Sequence, residues 1–345
     1  MAAKKSHQNL MPVSIEEKFA PLLAEMRVSA RLVETTALVP EASLRRYYRL
    51  RFDDGRTLIG VNEDASSAAT NMPNVIAVQR FLHERGVAVP EIYFADAAAG
   101  VMLQQDLGDL SLNQALKENP DKADLLYQEA ILHMLSWQRL ADDGHCPAFR
   151  LSFDIEKLMF EFEFFLTHTL LGYYHAKVTD TELSEIRAAF AKIAEQLAAY
   201  PNKVFTHRDY HSRNIIVYGG SAPHHKQYII DFQDARMGLM QYDLCSLLCD
   251  AYAPLSVERR ATLIDFAFEQ GKDMHRQTRA EFDHYWQLSA FQRTVKAMGT
   301  FGRQAALGRE DFAGHLKPAW QMLKEITAQS SELQQLADQL AGLVA

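Results

Sequence analysis

Two short segments hold most of the residues that could do chemistry. The first reads His207-Arg208-Asp209-Tyr210-His211-Ser212-Arg213-Asn214, and the second Ile229-Ile230-Asp231-Phe232-Gln233-Asp234-Ala235. A carboxylate, a carboxamide five residues on and a second carboxylate further along are the groups that phosphoryl transfer from a nucleotide asks for. Such a reaction needs little covalent work from the protein. It needs a group that orients and deprotonates the acceptor hydroxyl, and hard oxygen ligands that hold Mg²⁺ against the phosphates. Asp209 suits the first task, and Asn214 with Asp231 the second. His207 reads as a residue that orders the loop through hydrogen bonds rather than one that moves protons.

These groups must be positioned by a strand pair. The apolar runs Asn214–Tyr218 and Gln227–Phe232, joined by a Gly- and Pro-containing turn, predict a β-hairpin that folds Asp231 back beside Asn214. The spacing then matches the H-R-D-x-x-x-x-N loop and following D-F of kinases. Around this island the chain is helical, with apolar residues at helical spacing over 121–142, 154–173, 180–199, 256–272, 278–303 and 315–343. Upstream, 45–52 and 57–63 predict strands joined at Asp53-Asp54-Gly55. Residues 74–85 predict a helix ended by Gly86, and 89–94 with 102–104 further strand. Asp243 is expected either to cap the helix it opens or to tie that helix to the 207–214 loop. Cys245 and Cys249, four apart on one helix face, read as core packing.

With 345 residues the chain has the length of about two domains at ~150 residues each. The expected division is 1–105, a small mixed lobe, and 106–345, a larger helical lobe. A formal charge of −8 speaks against a general affinity for nucleic acid or an anionic membrane surface. No run approaches the ~18 apolar residues of a membrane span. The N-terminal segment lacks an apolar core of signal-peptide length, and three cysteines form no disulfide framework, so a cytoplasmic location is expected. The oligomeric state is left open, a monomer being compatible with the sequence.

These residues resemble the aminoglycoside phosphotransferase superfamily of small-molecule kinases. More narrowly they are similar to the anomeric sugar kinases of bacterial cell-wall recycling, which act on N-acetylmuramate and N-acetylglucosamine. The resemblance spans about residues 40–320. It rests on Arg45-Arg46-Tyr47-Tyr48-Arg49, Asp106-Leu107-Gly108, the HRDYHSRN and DFQDA segments, YDLCSLLCDAY up to Tyr252, and Gln292-Arg293 with Lys296, Gly299 and Phe301. It implies an α+β, two-lobed, protein-kinase-like fold, with a small N-terminal β-sheet lobe with helix and a larger, mostly helical C-terminal lobe. It further implies ATP and Mg²⁺ as cofactors, Asp209 as catalytic base and Asn214 and Asp231 as metal ligands. Gln104, Gln105 and Asp106 would be a hinge offering backbone groups to adenine. The implied reaction moves the γ-phosphate to an anomeric hydroxyl and gives a sugar α-1-phosphate in peptidoglycan recycling.

One departure is visible. Kinases carry a strand-three Lys and a partner Glu on the next helix. Here the strand reads LIGVNED, with Asn62 near the Lys position, and the helix has no Glu before Glu84. Arg45, Arg46 or Arg49 would then neutralise phosphate, and Ser43 is the side-chain donor in the segment expected to cover it. For the acceptor, a muramate carboxylate calls for an Arg, because Arg pairs with carboxylates bidentately. Arg213, Arg236 and Arg293 are the candidates together with Arg303, and Asp234 could hold a sugar hydroxyl. Aminoglycosides would need an acidic pocket. The Glu156–Glu163 helix could supply one, but its interleaved phenylalanines read as core. An aminoglycoside or choline-type phosphotransferase and a weakly active nucleotide-binding module are the alternatives. A protein kinase fits least, since no APE-like anchor follows Asp231.

Overall fold

A computed structural model describes residues 14–38, 45–219 and 225–344. It divides into two compact units: residues up to Ile76 with Pro90–Asp106, and Ala77–Val89 with Leu107 onward.

In the first unit, helix α1 (Ile15–Glu25) starts at a capping box, with Ser14 and Glu17 satisfying each other's backbone N–H groups. Strands β1 (Leu32–Ala37), β2 (Arg46–Phe52) and β3 (Thr57–Asn62) follow, then helix α2 (Ala65–Glu84), β4 (Ile92–Asp96) and β5 (Val101–Gln105). All neighbours in the β1-β2-β3-β5-β4 sheet are antiparallel. Phe19 and Leu22 of α1 pack on Leu50, Phe52, Val101 and Leu103. Gly60 of β3 makes this possible, because a Cβ there would stand 2.5 Å from the Phe19 ring.

The second unit opens with the end of α2 and continues through α3 (Leu112–Glu118), α4 (Ala123–Gln138), α5 (Ile155–Phe165) and α6 (Asp180–Ala199). Strands β6 (Val204–Thr206), β7 (Ile215–Tyr218), β8 (Lys226–Ile229) and β9 (Arg236–Gly238) come next. Helices α7 (Met240–Leu248), α8 (Val257–Gln270), α9 (Lys272–His275), α10 (Arg279–Ala306), α11 (Glu310–Ala313), α12 (Leu316–Thr327) and α13 (Ser331–Gly342) complete the unit. Antiparallel β7–β8 is the expected hairpin, and β6–β9 forms a second small pair. The core gathers Phe162, Phe165, Phe190, Phe291, Val295 and Met298 around α10.

Several boundaries differ from the sequence expectation. The helix expected to begin at 74 begins at Ala65, because Asp64 caps it through Ser66 N–H (3.0 Å), and Pro73 lies inside it. The strand expected to reach Phe232 ends at Ile229, and Asp231 turns into a left-handed backbone with φ 67°. Asp243 does not open its helix but lies one turn inside α7. The span 315–343 is two helices parted at 328–330. Strand β1 was not anticipated.

The helix at 154–173 changes to π-helical winding over Leu166–Tyr173. This stretch lies tightly on α10. A Cβ on Gly302 would meet the Cα of Thr169 at 2.7 Å, while Thr169 Oγ1 donates to the Met298 carbonyl (2.7 Å). Gly302→Ala is therefore expected to destabilise the fold by about 1–3 kcal/mol through overpacking. A urea midpoint unchanged from wild type would refute that packing.

Candidate active site

Strand β6 delivers the 207–214 loop, and buried Asp243 of α7 fixes its start. Asp243 accepts from the backbone N–H of His207 (2.7 Å) and of Arg208 (2.9 Å). Burial pushes the Asp243 pKa up, against the pull of His207 and these two N–H donors. The contact matters because Arg208 has φ 80°, a left-handed conformation that non-glycine residues seldom adopt. His207 stitches the two halves of the site together. Its Nδ1 accepts from Asp209 N–H (3.3 Å), so Nε2 carries the proton and donates to the Ile230 carbonyl (2.9 Å). Further along, Ser212 donates both its N–H (2.9 Å) and its Oγ–H (2.5 Å) to Asp250.

Asn214 and Asp231 meet as the hairpin requires. Asn214 Nδ2 donates to the Asp209 carbonyl (2.9 Å) and lies 3.5 Å from Asp231 Oδ2. With its nitrogen occupied there, the amide keeps Oδ1 for a cation. Asp231 Oδ1 accepts from Gln233 Nε2 (2.7 Å). No group of three or more His, Cys, Asp or Glu suited to a metal occurs among the described residues. Asn214 Oδ1 and the Asp231 carboxylate are hard oxygen donors, the type that Mg²⁺ takes while drawing its other ligands from water and phosphate.

Asp209 itself is ringed by cations. Lys296 Nζ donates to its Oδ1, Arg293 Nη2 lies 3.5 Å from the same oxygen, and Arg208 Nη1 lies 3.8 Å from Oδ2. Burial pushes the Asp209 pKa up, but Lys296, Arg208 and Arg293 together outweigh it and hold the carboxyl well below the usual range. Arg208 is also bound to Asp234 (2.7 Å) and Glu161 (3.2 Å). Glu161, 3% exposed, accepts from Gln292 Nε2 (2.9 Å) as well. Burial raises the Glu161 pKa, and Lys296, Arg208 and Lys157 bring it below its ordinary value. Arg293 Nε donates to Ser246 Oγ (2.8 Å).

A cavity of about 70 Å³ opens at this cluster, lined by Asp209, His211, Ser246, Asp250, Tyr252, Arg293, Lys296 and Phe301 among others. Of the catalytic and substrate residues expected from sequence, Asp209 and Arg293 line it, and so do Cys249, Tyr252, Lys296 and Phe301 of the segments that carry the resemblance. Arg213 is stacked on the Tyr252 ring, 3.8 Å from its centre. Asp234 is engaged by Arg208, and Arg236 is buried, with Nε donating to the Asp234 carbonyl (3.2 Å) and its guanidinium 5.4 Å from the centre of the Phe153 ring. Arg303 stands over Phe164.

In the first unit, Arg45 pairs with Glu63 (3.1 Å), and Arg49 grips Asp106 with both Nε (2.7 Å) and Nη2 (3.0 Å). Arg46 opens β2 and shares the face of Leu50 and Phe52, which pack under α1. Gln104 pairs with Ile59 and Ile92 across the sheet, and Gln105 N–H donates to the Glu91 carbonyl (2.8 Å). Ser43 lies outside the described residues.

Sequence reasoning missed Lys296 and Glu161 as members of this site. The available signal was Gln292, Arg293 and Lys296 at helical spacing in an otherwise apolar stretch of α10, a pattern that buries polar groups against whatever the helix faces.

The antiparallel sheet followed by a helical unit bearing this loop is the protein-kinase-like architecture of small-molecule phosphotransferases. The chain belongs to the phosphotransferase enzyme family, whose model matches residues 35–282. It is 29% identical over 314 residues to an N-acetylmuramate/N-acetylglucosamine kinase of Pseudomonas putida, covering 90% of this chain and 88% of that one. A kinase of the same name from Neisseria meningitidis is 26% identical, covering 90% and 91%. Among solved structures, the choline kinase LicA of Streptococcus pneumoniae superposes with a TM-score of 0.62 at 13% identity, over 91% of this chain and all of that one. An ADP-bound aminoglycoside phosphotransferase, APH(2'')-Ib, gives 0.59 at 13% identity, over 91% and 99%. At these identities the structures speak for the fold alone.

The electrostatics of the cluster can be read directly. Burial brings the Lys296 pKa down to about 8, with Asp209 pulling it up and Arg293 and Arg208 pushing it down. Lysine-selective ¹³C NMR should find an amine with a midpoint near pH 8. In Asp209→Asn, which removes the anion that favours the ammonium, the midpoint should fall further. A midpoint at the ordinary 10.5, or one indifferent to Asp209→Asn, would contradict the pairing.

Proposed function

We propose that this phosphotransferase moves the γ-phosphate of ATP to the anomeric hydroxyl of an N-acetylated amino sugar, N-acetylmuramate or N-acetylglucosamine. The observation that carries the reading is the cavity at Asp209. Its charged lining is two acids, Asp209 and Asp250, and two bases, Arg293 and Lys296, so it offers no net negative charge to a polycation. Its aromatic residues Tyr252 and Phe301 suit the apolar face of a sugar ring. A polycationic aminoglycoside would find no acidic excess there to bind it. The names of the 26–29% identical relatives point the same way.

Asp209 accepts the acceptor's proton, and an anomeric hydroxyl, more acidic than an ordinary alcohol, suits a carboxylate of low pKa. General-base help of this kind is worth about 10²–10⁴-fold. Asn214 and Asp231 would hold Mg²⁺, which supplies charge neutralisation at the phosphates. His207 and Asp243 keep the loop in place. The product should be a sugar phosphate used by a cytoplasmic recycling reaction.

Pure protein with Mg-ATP should phosphorylate N-acetylmuramate or N-acetylglucosamine and leave kanamycin and choline unchanged, with phosphorus NMR placing phosphate on the anomeric oxygen. Asp209→Asn should lose at least ~10²-fold in kcat while still binding Mg-ATP. Phosphate appearing only on kanamycin or choline would overturn the acceptor assignment. A wild-type rate in Asp209→Asn would overturn the base assignment.

Arg213, whose guanidinium stands 3.8 Å from the centre of the cavity-lining Tyr252 ring, is assigned to the muramate carboxylate. Its replacement by Ala should raise KM for N-acetylmuramate roughly tenfold or more, the scale of one charge-assisted hydrogen bond, and change KM for N-acetylglucosamine little. Equal losses on both sugars would remove that role.

A further inference from the structure

Phosphoryl transfer leaves charge on three equatorial oxygens, and a cation at that group is worth several orders of magnitude in rate. The catalytic loop contains cations, but each is committed elsewhere. Arg208 is bound to Asp234 and Glu161, and Arg213 is stacked on Tyr252. His211 stands edge-on to the Tyr252 ring, with Nε2 3.4 Å from Asn214 Nδ2. The neighbouring Arg293 also lines the cavity, but it is held by Ser246 through Nε (2.8 Å) and by Asp209 through Nη2 (3.5 Å).

Lys296 is placed differently. It comes from α10, is only 12% exposed, and lines the cavity in which the acceptor must meet Asp209. Among the described residues its one hydrogen-bond partner is Asp209 Oδ1. An ammonium has three donors. Two of them are therefore left without a protein acceptor at the point where the transferred group must pass, and a buried donor left without a partner costs stability unless a ligand takes it.

Resting on the assignment of Asp209 as base, we propose that Lys296 is a catalytic residue of this phosphotransferase, its ammonium donating to an equatorial oxygen of the phosphoryl group in transit. In the step, the acceptor O–H bond breaks and its proton passes to Asp209. The acceptor oxygen forms the new bond to the γ-phosphorus, and the bond from that phosphorus to the bridging oxygen breaks, its electron pair leaving with ADP. Lys296 keeps its proton throughout. Its single hydrogen bond to Asp209 serves two ends: it aims the ammonium at the acceptor site, and it leaves the other two donors for phosphate.

The test compares Lys296→Met, Lys296→Arg and Lys296→Ala in steady-state kinetics, using whichever acceptor the wild type phosphorylates and, in parallel, acceptor-free ATP hydrolysis. Lys296→Met should lose about 10²–10³-fold in kcat with KM for ATP and acceptor within a few-fold of wild type. Lys296→Arg should be faster than Lys296→Met. Ethylammonium, small enough for the vacated space, should raise the rate of Lys296→Ala at least tenfold in proportion to its concentration. A Lys296→Met rate within threefold of wild type would overturn the proposal. So would a loss that neither Arg nor ethylammonium relieves, since that marks a packing role. Wild-type protein that phosphorylates choline or kanamycin in place of the sugars would sink the acceptor reading and leave this test standing.

Discussion

The geometry of the site hangs on one buried carboxylate of helix α7. Asp243 accepts two consecutive backbone N–H groups, those of His207 and Arg208, and so holds Arg208 at a positive φ that its side chain disfavours. That turn sends the Arg208 side chain toward Glu161 and Asp234 while the next residue, Asp209, faces the cavity. Without the carboxylate, two N–H groups would be buried without partners, a penalty of about 1–3 kcal/mol each, and the turn would lose its restraint. His207 extends the same logic across the site, since its two ring nitrogens join Asp209 N–H to the carbonyl just before Asp231.

Around this frame the charges form a network rather than separate pairs. Glu161 and Asp234 anchor Arg208, Ser246 anchors Arg293, and the remaining positive charge converges on Asp209. A carboxylate so neutralised stays ionised and is fixed in place by the three cations around it. The network also explains why Glu161 is buried in a helix otherwise lined by phenylalanine: it serves as the counter-charge of Arg208 and accepts from Gln292 of α10.

Much of this was legible in the sequence. That Asp209, Asn214 and Asp231 come together could be read, because it depends on local spacing and on a hairpin whose apolar runs are plain. The protein-kinase-like fold was implied by the family resemblance that these motifs carry. The ends of elements were less legible. The start of α2 was placed nine residues late, its cap Asp64 not being recognised, and Asp231 was given to a strand because the apolar run does not show where the backbone turns left-handed. Glu161 and Lys296 were missed as site residues because their partners lie far away in sequence: 135 residues separate them from one another, and Lys296 lies 87 residues after Asp209.

Helix α10 shows what such a long-range placement accomplishes. Its apolar residues Phe291, Val295 and Met298 build the core, while Gln292, Arg293 and Lys296, interleaved with them, reach Glu161, Ser246 and Asp209. One helix therefore packs the unit and supplies the positive side of the site, and its register ties the two tasks together. Gly299 and Gly302 allow it to approach α5 and the π-helical stretch so closely that a Cβ at either would meet backbone at 3.2 Å or less. A rotation that relieved such a clash would also move Lys296 off Asp209. Because the polar residues are borne by a rigid helix set in the core, the cations stay aimed at the carboxylate without a dedicated loop, the kind of preorganisation that electrostatic catalysis requires.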